Sequence, residues 1–200
     1  MSVLDSSALS RLIESESASA DPQAATTIQI LHNLQHQHFW TSLQIHDISG
    51  SSDGLEVNIK DSPRTLISGI PPHRVYTHPD EQLYMLEKAI TEDDLQPERV
   101  FVIPTAQGQK WSLRRMAMAF DALASLENTI GNEIDATDAT ADPDKAEKLG
   151  QYYEKKRQAK VTKEWGTRRA LLAMTNRDMG GDGTVVYYIV QEGEVKPRQN

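Results

Sequence analysis

Apolar residues along this chain fall into short, separated clusters, and the spacing inside each cluster predicts an element. From Ala24 to about Trp40, Ile28, Leu31, Gln35 and His38 or Phe39 recur at helical spacing, so a first helix is expected there. After the loop ISGSSDG, Leu55, Val57 and Ile59 alternate with Glu56, Asn58 and Lys60, the pattern of a half-buried strand. A second short strand over Thr65 to Ile70 is stopped by Pro71 and Pro72, and the two strands suggest a small antiparallel meander. HPDEQLYMLEKAITEDD opens with Pro and acidic residues and carries Leu83, Leu86 and Ile90 on one face, which predicts a short helix.

RVFVIP, bounded by Glu98 and Pro104, reads as an interior strand. Ser112 can cap a helix whose Leu113, Met116, Phe120 and Leu123 share one buried face and which should end near Leu126. DKAEKLGQYYEKKRQAK has helical composition with only Leu149, Tyr152 and Tyr153 to dock it. RALLAMT and TVVYYIV are two strands, and the turn residues of NRDMGGDG between them make an antiparallel hairpin. Strands and crossover helices do not alternate regularly, so the expected fold class is α+β, a mixed sheet with packed helices. The expected organisation is a disordered tail over 1–23, rich in Ser, Ala and Glu, followed by one domain over 24–200 with a mobile acidic and basic insertion at about 127–160.

Composition changes this picture in three places. Two hundred residues suffice for one core and barely for two. There is no cysteine, which excludes disulfides, thiolate metal sites and cysteine nucleophiles. The net charge of −8 argues against a surface that grips nucleic acid all over, yet the charge is segregated. Glu127 to Asp144 holds six acidic residues and no basic one, while Lys145 to Arg169 holds nine basic against three acidic. No apolar run reaches membrane-spanning length, and MSVLDSSALSRLIESESASA lacks the basic start and apolar centre of a signal peptide, so neither an anchor nor membrane insertion is expected.

Few motifs carry chemistry. His32 and His36 lie one helical turn apart, with His38 and His46 nearby, but no third ligand is fixed by spacing; surface or half-buried histidines, and no metal site, are expected. GGDGT lacks the ending of a phosphate-binding loop and leads into a strand, so it reads as a hairpin loop. YYEKKRQAKVTK interleaves aromatics with Lys and Arg; it suits an RNA backbone, and equally a solvated basic helix that neutralises acidic surface. No nucleophile elbow, Ser/His/Asp order or dinucleotide fingerprint is present, and no cofactor is expected.

RRALLAMTNRDMGGDGTVVYYIVQEGEVKPR, with its strand, acidic turn, Val-Val-Tyr-Tyr strand and Gly-x-Val-x-Pro extension, resembles the C-terminal domain of the tRNA-splicing endonuclease family. RVFVIPTAQGQKWSLRRMAMAFDAL resembles the strand, loop and helix that precede it, and LISGIPPHRVYTHPDEQ with the first helix resembles the small structural subunit, called subunit fifteen, in its fungal forms. The resemblance spans about Ala24 to Gln199, the insertion excluded.

Active members of that family use a Tyr base, a His acid and a Lys that stabilises charge on the phosphorane. Here no His follows His78, no Tyr lies between Tyr84 and Tyr152, and Arg168 or Arg169 meets the Lys position. The resemblance therefore implies a non-catalytic subunit with no catalytic residues of its own. His73, His78 and Tyr76 form a substitute cluster upstream of the core strand, for which loop capping is the reading. The resemblance further implies an interface with a neighbouring subunit through Val185, Val186, Tyr187, Tyr188, Ile189 and Val190, with Val195 beyond them, and an acidic loop presenting Asp178 and Asp182 to another subunit. Turn chemistry accounts for those aspartates as well.

The expected partners are the catalytic and structural subunits of a heterotetrameric endonuclease that removes introns from precursor tRNA, and pre-tRNA through that complex; a homodimer is expected of the isolated chain. Candidate RNA contacts are Lys155, Lys156, Arg157, Lys160, Lys163, Arg168 and Arg169. The location implied is the nucleus or the cytosolic face of an organelle. Two rival readings are a stand-alone RNA-binding module and a degenerate ribonuclease working through His73, His78 or Arg169.

Overall fold

The computed structural model describes residues 22–48, 64–130, 143–176 and 184–197. They form four helices and one six-stranded mixed sheet: α1 (Pro22–His36), β1 (Thr41–Asp47), β2 (Thr65–Ile70), α2 (Pro79–Glu87), β3 (Val100–Ala106), α3 (Leu113–Ile130), α4 (Pro143–Thr162), β4 (Arg169–Thr175), β5 (Val185–Gln191) and β6 (Glu194–Pro197). Strands lie in the sheet in chain order. All neighbours are antiparallel except β3 and β4, which run parallel with Val102 opposite Leu171 and Ala106 opposite Thr175. A parallel pair needs a crossover, and α3 and α4 lie in that connection. The α+β expectation holds.

Helices cover both faces of the sheet. Ile30 and Leu34 of α1 pack on Ile67, Val102, Leu171, Tyr187 and Ile189. Phe120 and Leu123 of α3 pack on the opposite face, against Leu66, Phe101, Ile103, Leu172 and Val190. Side chains of one strand thus serve two cores in alternation, because successive residues of a strand point to opposite faces. β3 is apolar throughout for that reason, as expected of an interior strand. A third cluster joins α2 to α4 through Met85, Ile90, Tyr152, Ala159 and Trp165. The segment expected to be a mobile insertion therefore contains a 20-residue helix, docked by Tyr152 with Leu149 and Tyr153 beside it.

Four expectations are corrected. The first helix stops at His36, because His38 N–H returns to the Asn33 carbonyl and Phe39 turns left-handed at φ 55°, throwing Trp40 out of helical register. The next element is β1, for which no element was expected; Leu43 and Ile45 are set among polar residues on this margin of the sheet, so the strand signal is faint. Gly69 of β2 lets it approach, since a Cβ there would meet Leu43 Cδ2 at 2.7 Å. The expected strand at Leu55, Val57 and Ile59 lies outside the described residues, as do Asp178, Asp182 and the expected tail 1–23 up to residue 21; Pro22 and Gln23, assigned to that tail, instead open α1.

On α2 the expected face is turned: Leu83 and Leu86 are 57% and 70% exposed, while Glu81 and Met85 are buried. In α3, Ser112 Oγ does accept the Arg115 N–H at 3.1 Å, but Leu113 is 92% exposed, and the helix continues past Leu126 to Ile130. Only Leu113 of the expected face turns to solvent; Met116, Phe120 and Leu123 pack on the core. The β4–β5 hairpin is antiparallel as expected, seven residue pairs long.

Candidate functional site

A cavity of about 480 Å³ lies between the segment 71–76, the segment 95–99, the end of α4 and the start of β4. Its floor is a polar network that begins with Glu81. That side chain sits in the first turn of α2, where a carboxylate is favoured by the helix dipole and would ordinarily face water. Here it is buried, and the Tyr152 hydroxyl donates to it at 2.6 Å, Arg74 Nη1 at 3.0 Å. Arg74 Nη2 also donates to Glu98 at 3.1 Å, and Lys156 bonds Glu98 while standing 3.8 Å from Glu81. Burial by itself would push the Glu81 carboxyl up; the Tyr152 hydroxyl, Lys156 and Arg74 outweigh it and hold it below the usual carboxylate range. Burial, reinforced by the hydrogen bond to Glu81, pushes the Tyr152 phenol well above its ordinary value. Around Arg74 burial works against the charge, and Glu98, Tyr152 and Glu81 overcome it.

The seven candidate RNA contacts lie on one stretch of chain but not in one electrostatic state. Lys155 pairs with Glu164 at 2.8 Å, Arg157 with Glu154 at 2.6 Å and Lys160 with Glu127 at 3.6 Å. Lys156 is spent on Glu98, and Arg168 stands 3.4 Å from Glu127 and 3.7 Å from Glu192. Much of the basic run is therefore neutralised by acids of the fold: Glu154 in α4, Glu164 just after it, Glu127 in α3, Glu98 before β3 and Glu192 after β5. Lys163, left-handed at φ 60°, lies on the cavity wall. Arg169 lies with its guanidinium 4.4 Å over the Tyr76 ring and donates to the Trp165 carbonyl.

His73 lines the cavity, whereas His78 caps α2, its Nδ1 accepting the Asp80 N–H at 3.3 Å. The capping expectation holds for His78. The His32 and His36 rings lie with centroids 4.4 Å apart, tilted by 49°, and among the described residues no group of three metal-ligating side chains forms. His46 bonds Ser68 at 2.8 Å, a pair sequence reading passed over; Ser68 is fully buried and also accepts from Arg99 at 3.1 Å, so the pair ties β1 to β2.

Of the expected interface residues, Ile189, Val190 and Tyr187 are buried in this chain's own cores, and Tyr187 donates to Asn33 Oδ1 at 2.6 Å. Val185 and Tyr188 are half-buried, and Val186 is 46% exposed. β6 pairs with β5 from Tyr188 to Gln191, bringing the backbone of Val195 opposite Val190, so the margin of the sheet is β6. The site residues that sequence reading missed are Arg74, Glu81 and Glu98. The available signal was the acid at Glu81, which was read only as one of the acidic residues that open a short helix.

An α+β domain of one mixed sheet between helices, with an internally neutralised polar cavity at its side, is the class of protein these features define. The family model described as "Sen15 protein" matches residues 29–145 and 139–200. A protein of Neurospora crassa described as a probable tRNA-splicing endonuclease subunit, tsp-1, is 35% identical over 193 residues, covering 94% of this chain and 71% of that protein. The chain belongs to the Sen15 family. Among the described residues no helix is long and apolar enough to cross a membrane.

Proposed function

We propose that this chain is a structural, non-catalytic subunit of a tRNA-splicing endonuclease, which completes the complex and fixes how its catalytic subunits meet pre-tRNA. The observation that carries this reading is 35% sequence identity, over 94% of this chain, with a probable subunit of that enzyme. The cavity supports it. Arg169, which meets the family's Lys position, is held by the Tyr76 ring and the Trp165 carbonyl, while Glu81 and Glu98 are tied up by Arg74 and Lys156. These groups are engaged by partners of the fold and are not poised as acid and base for a 2′-hydroxyl.

Partner subunits are met at the β5–β6 margin, where the exposed Val186 side chain is presented, and a homodimer forms there in isolation. The loop bearing Asp178 and Asp182 contributes acidic contacts to a neighbour. RNA contact is made through the exposed Arg157, Lys160 and Lys163, with Lys155, Lys156, Arg168 and Arg169 serving mainly to hold the fold. Co-expression with the catalytic and remaining structural subunits tests the reading. The wild type co-purifies with them and Val186→Asp does not, with unchanged circular dichroism. Capture of no endonuclease subunit by the wild type would overturn it.

A further inference from the structure

Holding a bulky side chain at positive φ costs free energy, and so does keeping an aromatic ring in water, so a residue that does both points to a function served in that conformation. Phe39 does both. Its φ is 55°, it is 71% exposed, and among the described residues it makes no ring contact. It lines a second cavity, of about 350 Å³, on the face of the sheet covered by α1. The wall is largely apolar, built from Leu34, Trp40, Val75, Leu171 and the consecutive Pro71 and Pro72. His38 and Tyr187 also line it, their rings meeting edge to face with centroids 5.2 Å apart.

The polar groups of this cavity are few and oriented. Tyr187 donates to Asn33 Oδ1 at 2.6 Å, and Asn33 Nδ2 donates to Gln37 Oε1 at 2.6 Å. That relay fixes which way the Gln37 amide points, and its Nε2 end is left to offer two N–H groups at an exposed position on the cavity wall. No carboxylate lines the cavity, and its one arginine, Arg74, is already held by Glu81 and Glu98. Nothing in it anchors an ion of either sign. It suits a neutral, planar group with a hydrogen-bonding edge, the flat face lying on an aromatic ring and the edge accepting from an amide. The volume lies at the small end of the range for ligand sites.

We infer that this cavity receives a nucleobase, stacked on Phe39 with an acceptor edge toward Gln37. Every base carries a π face, and stacking on aromatic side chains is how unpaired bases are held. The base comes either from a free nucleoside or from an unpaired position in an RNA strand. As an RNA site the cavity rests on the proposed place of this chain beside pre-tRNA; as a nucleoside site it does not. Co-purification with endonuclease subunits tests that place separately.

The test is a titration of the full chain with adenosine, cytidine and a ten-nucleotide single-stranded RNA without terminal phosphates, followed by the NMR signals of the Trp40 indole and the Gln37 side-chain amide. N-acetyltryptophanamide serves as a planar probe of protein chemistry. The expected result is saturable shifts at both signals, unchanged by Leu83→Ala, an exposed leucine of α2 outside the cavity. Phe39→Leu keeps an apolar side chain without the π face, and weakens binding about fivefold or more. Phe39→Gly separates binding from folding: it relieves the positive φ, so the urea midpoint does not fall while binding is lost. Saturation by the nucleosides shows that the base alone suffices; saturation by the RNA alone identifies the strand. No saturation by any of the three, or undiminished affinity in Phe39→Leu, would overturn the inference. Tighter binding of N-acetyltryptophanamide than of every base-bearing probe would also overturn it, and would assign the cavity to an aromatic side chain of a protein partner.

Discussion

Two regions of the domain, β5 and the α2–α4 wall, are built from opposite materials. At β5 the chain relies on apolar side chains shared between two cores: Ile189 faces α1, Val190 faces α3, and polar groups are few. At the α2–α4 wall the seam is largely polar, with Glu81, Tyr152, Arg74, Lys156 and Glu98 linking segments far apart in sequence. The first region resists changes of pH and salt and does not tolerate charge. The second is held by directional bonds that can be titrated or deleted singly. An interface reading based on apolar runs therefore has to be checked against burial: most apolar residues of β5 are already used by this chain, and Val186 is the exposed one.

The sharpest break in that comparison comes from charge at β5. Val190→Asp places a carboxylate at a position with no exposure, between Leu66 and Phe120, and should cost about 4 kcal/mol or more, read as loss of the urea unfolding transition. Deleting one bond at the polar wall is milder: Tyr152→Phe leaves the buried Glu81 carboxylate short of its 2.6 Å donor and should cost about 1–3 kcal/mol in the same assay.

Acid should act on the polar wall and spare β5. Glu81 has its carboxyl held below the usual range in the fold, so its contribution is complete above the unfolded value, about 4.3, and is lost as the pH falls through the lower folded value. Urea midpoints measured downward from pH 5 should fall, and Glu81→Gln should flatten that part of the profile. The exposed pair Lys155–Glu164 marks the bottom of the scale, where Lys155→Ala should change stability by less than about 0.5 kcal/mol. Val186→Asp should also leave the urea midpoint nearly unmoved, within about 0.5 kcal/mol, and act on assembly alone.

Legibility in the sequence divides along the same line. β2, β3, β4 and β5 were readable because each is buried enough for its apolar residues to stand out, and α3 because Met116, Phe120 and Leu123 do pack inward. β1 was not readable, since a margin strand with water beside it has little pattern to show. The face of α2 was misread for a deeper reason. Periodicity assigns the core side to leucines, but Glu81 has three partners waiting on that side, drawn from segments 7, 71 and 75 residues away, and no local window contains them. The cavity was therefore half visible: Arg169 and Lys163 were named, while the acids that decide which cations remain unspent were not.

The central claim is that this chain shapes the endonuclease without performing cleavage. The most direct measurement is cleavage of pre-tRNA by the complex reconstituted with His73→Ala, Tyr76→Phe in this chain, beside the wild-type complex and a preparation lacking the chain. The account predicts that the double variant assembles and cuts both splice sites at the wild-type rate, and that omission of the chain abolishes assembly and cleavage together. Loss of cleavage at either site by a fully assembled variant complex would contradict it, and would place catalytic chemistry on this subunit.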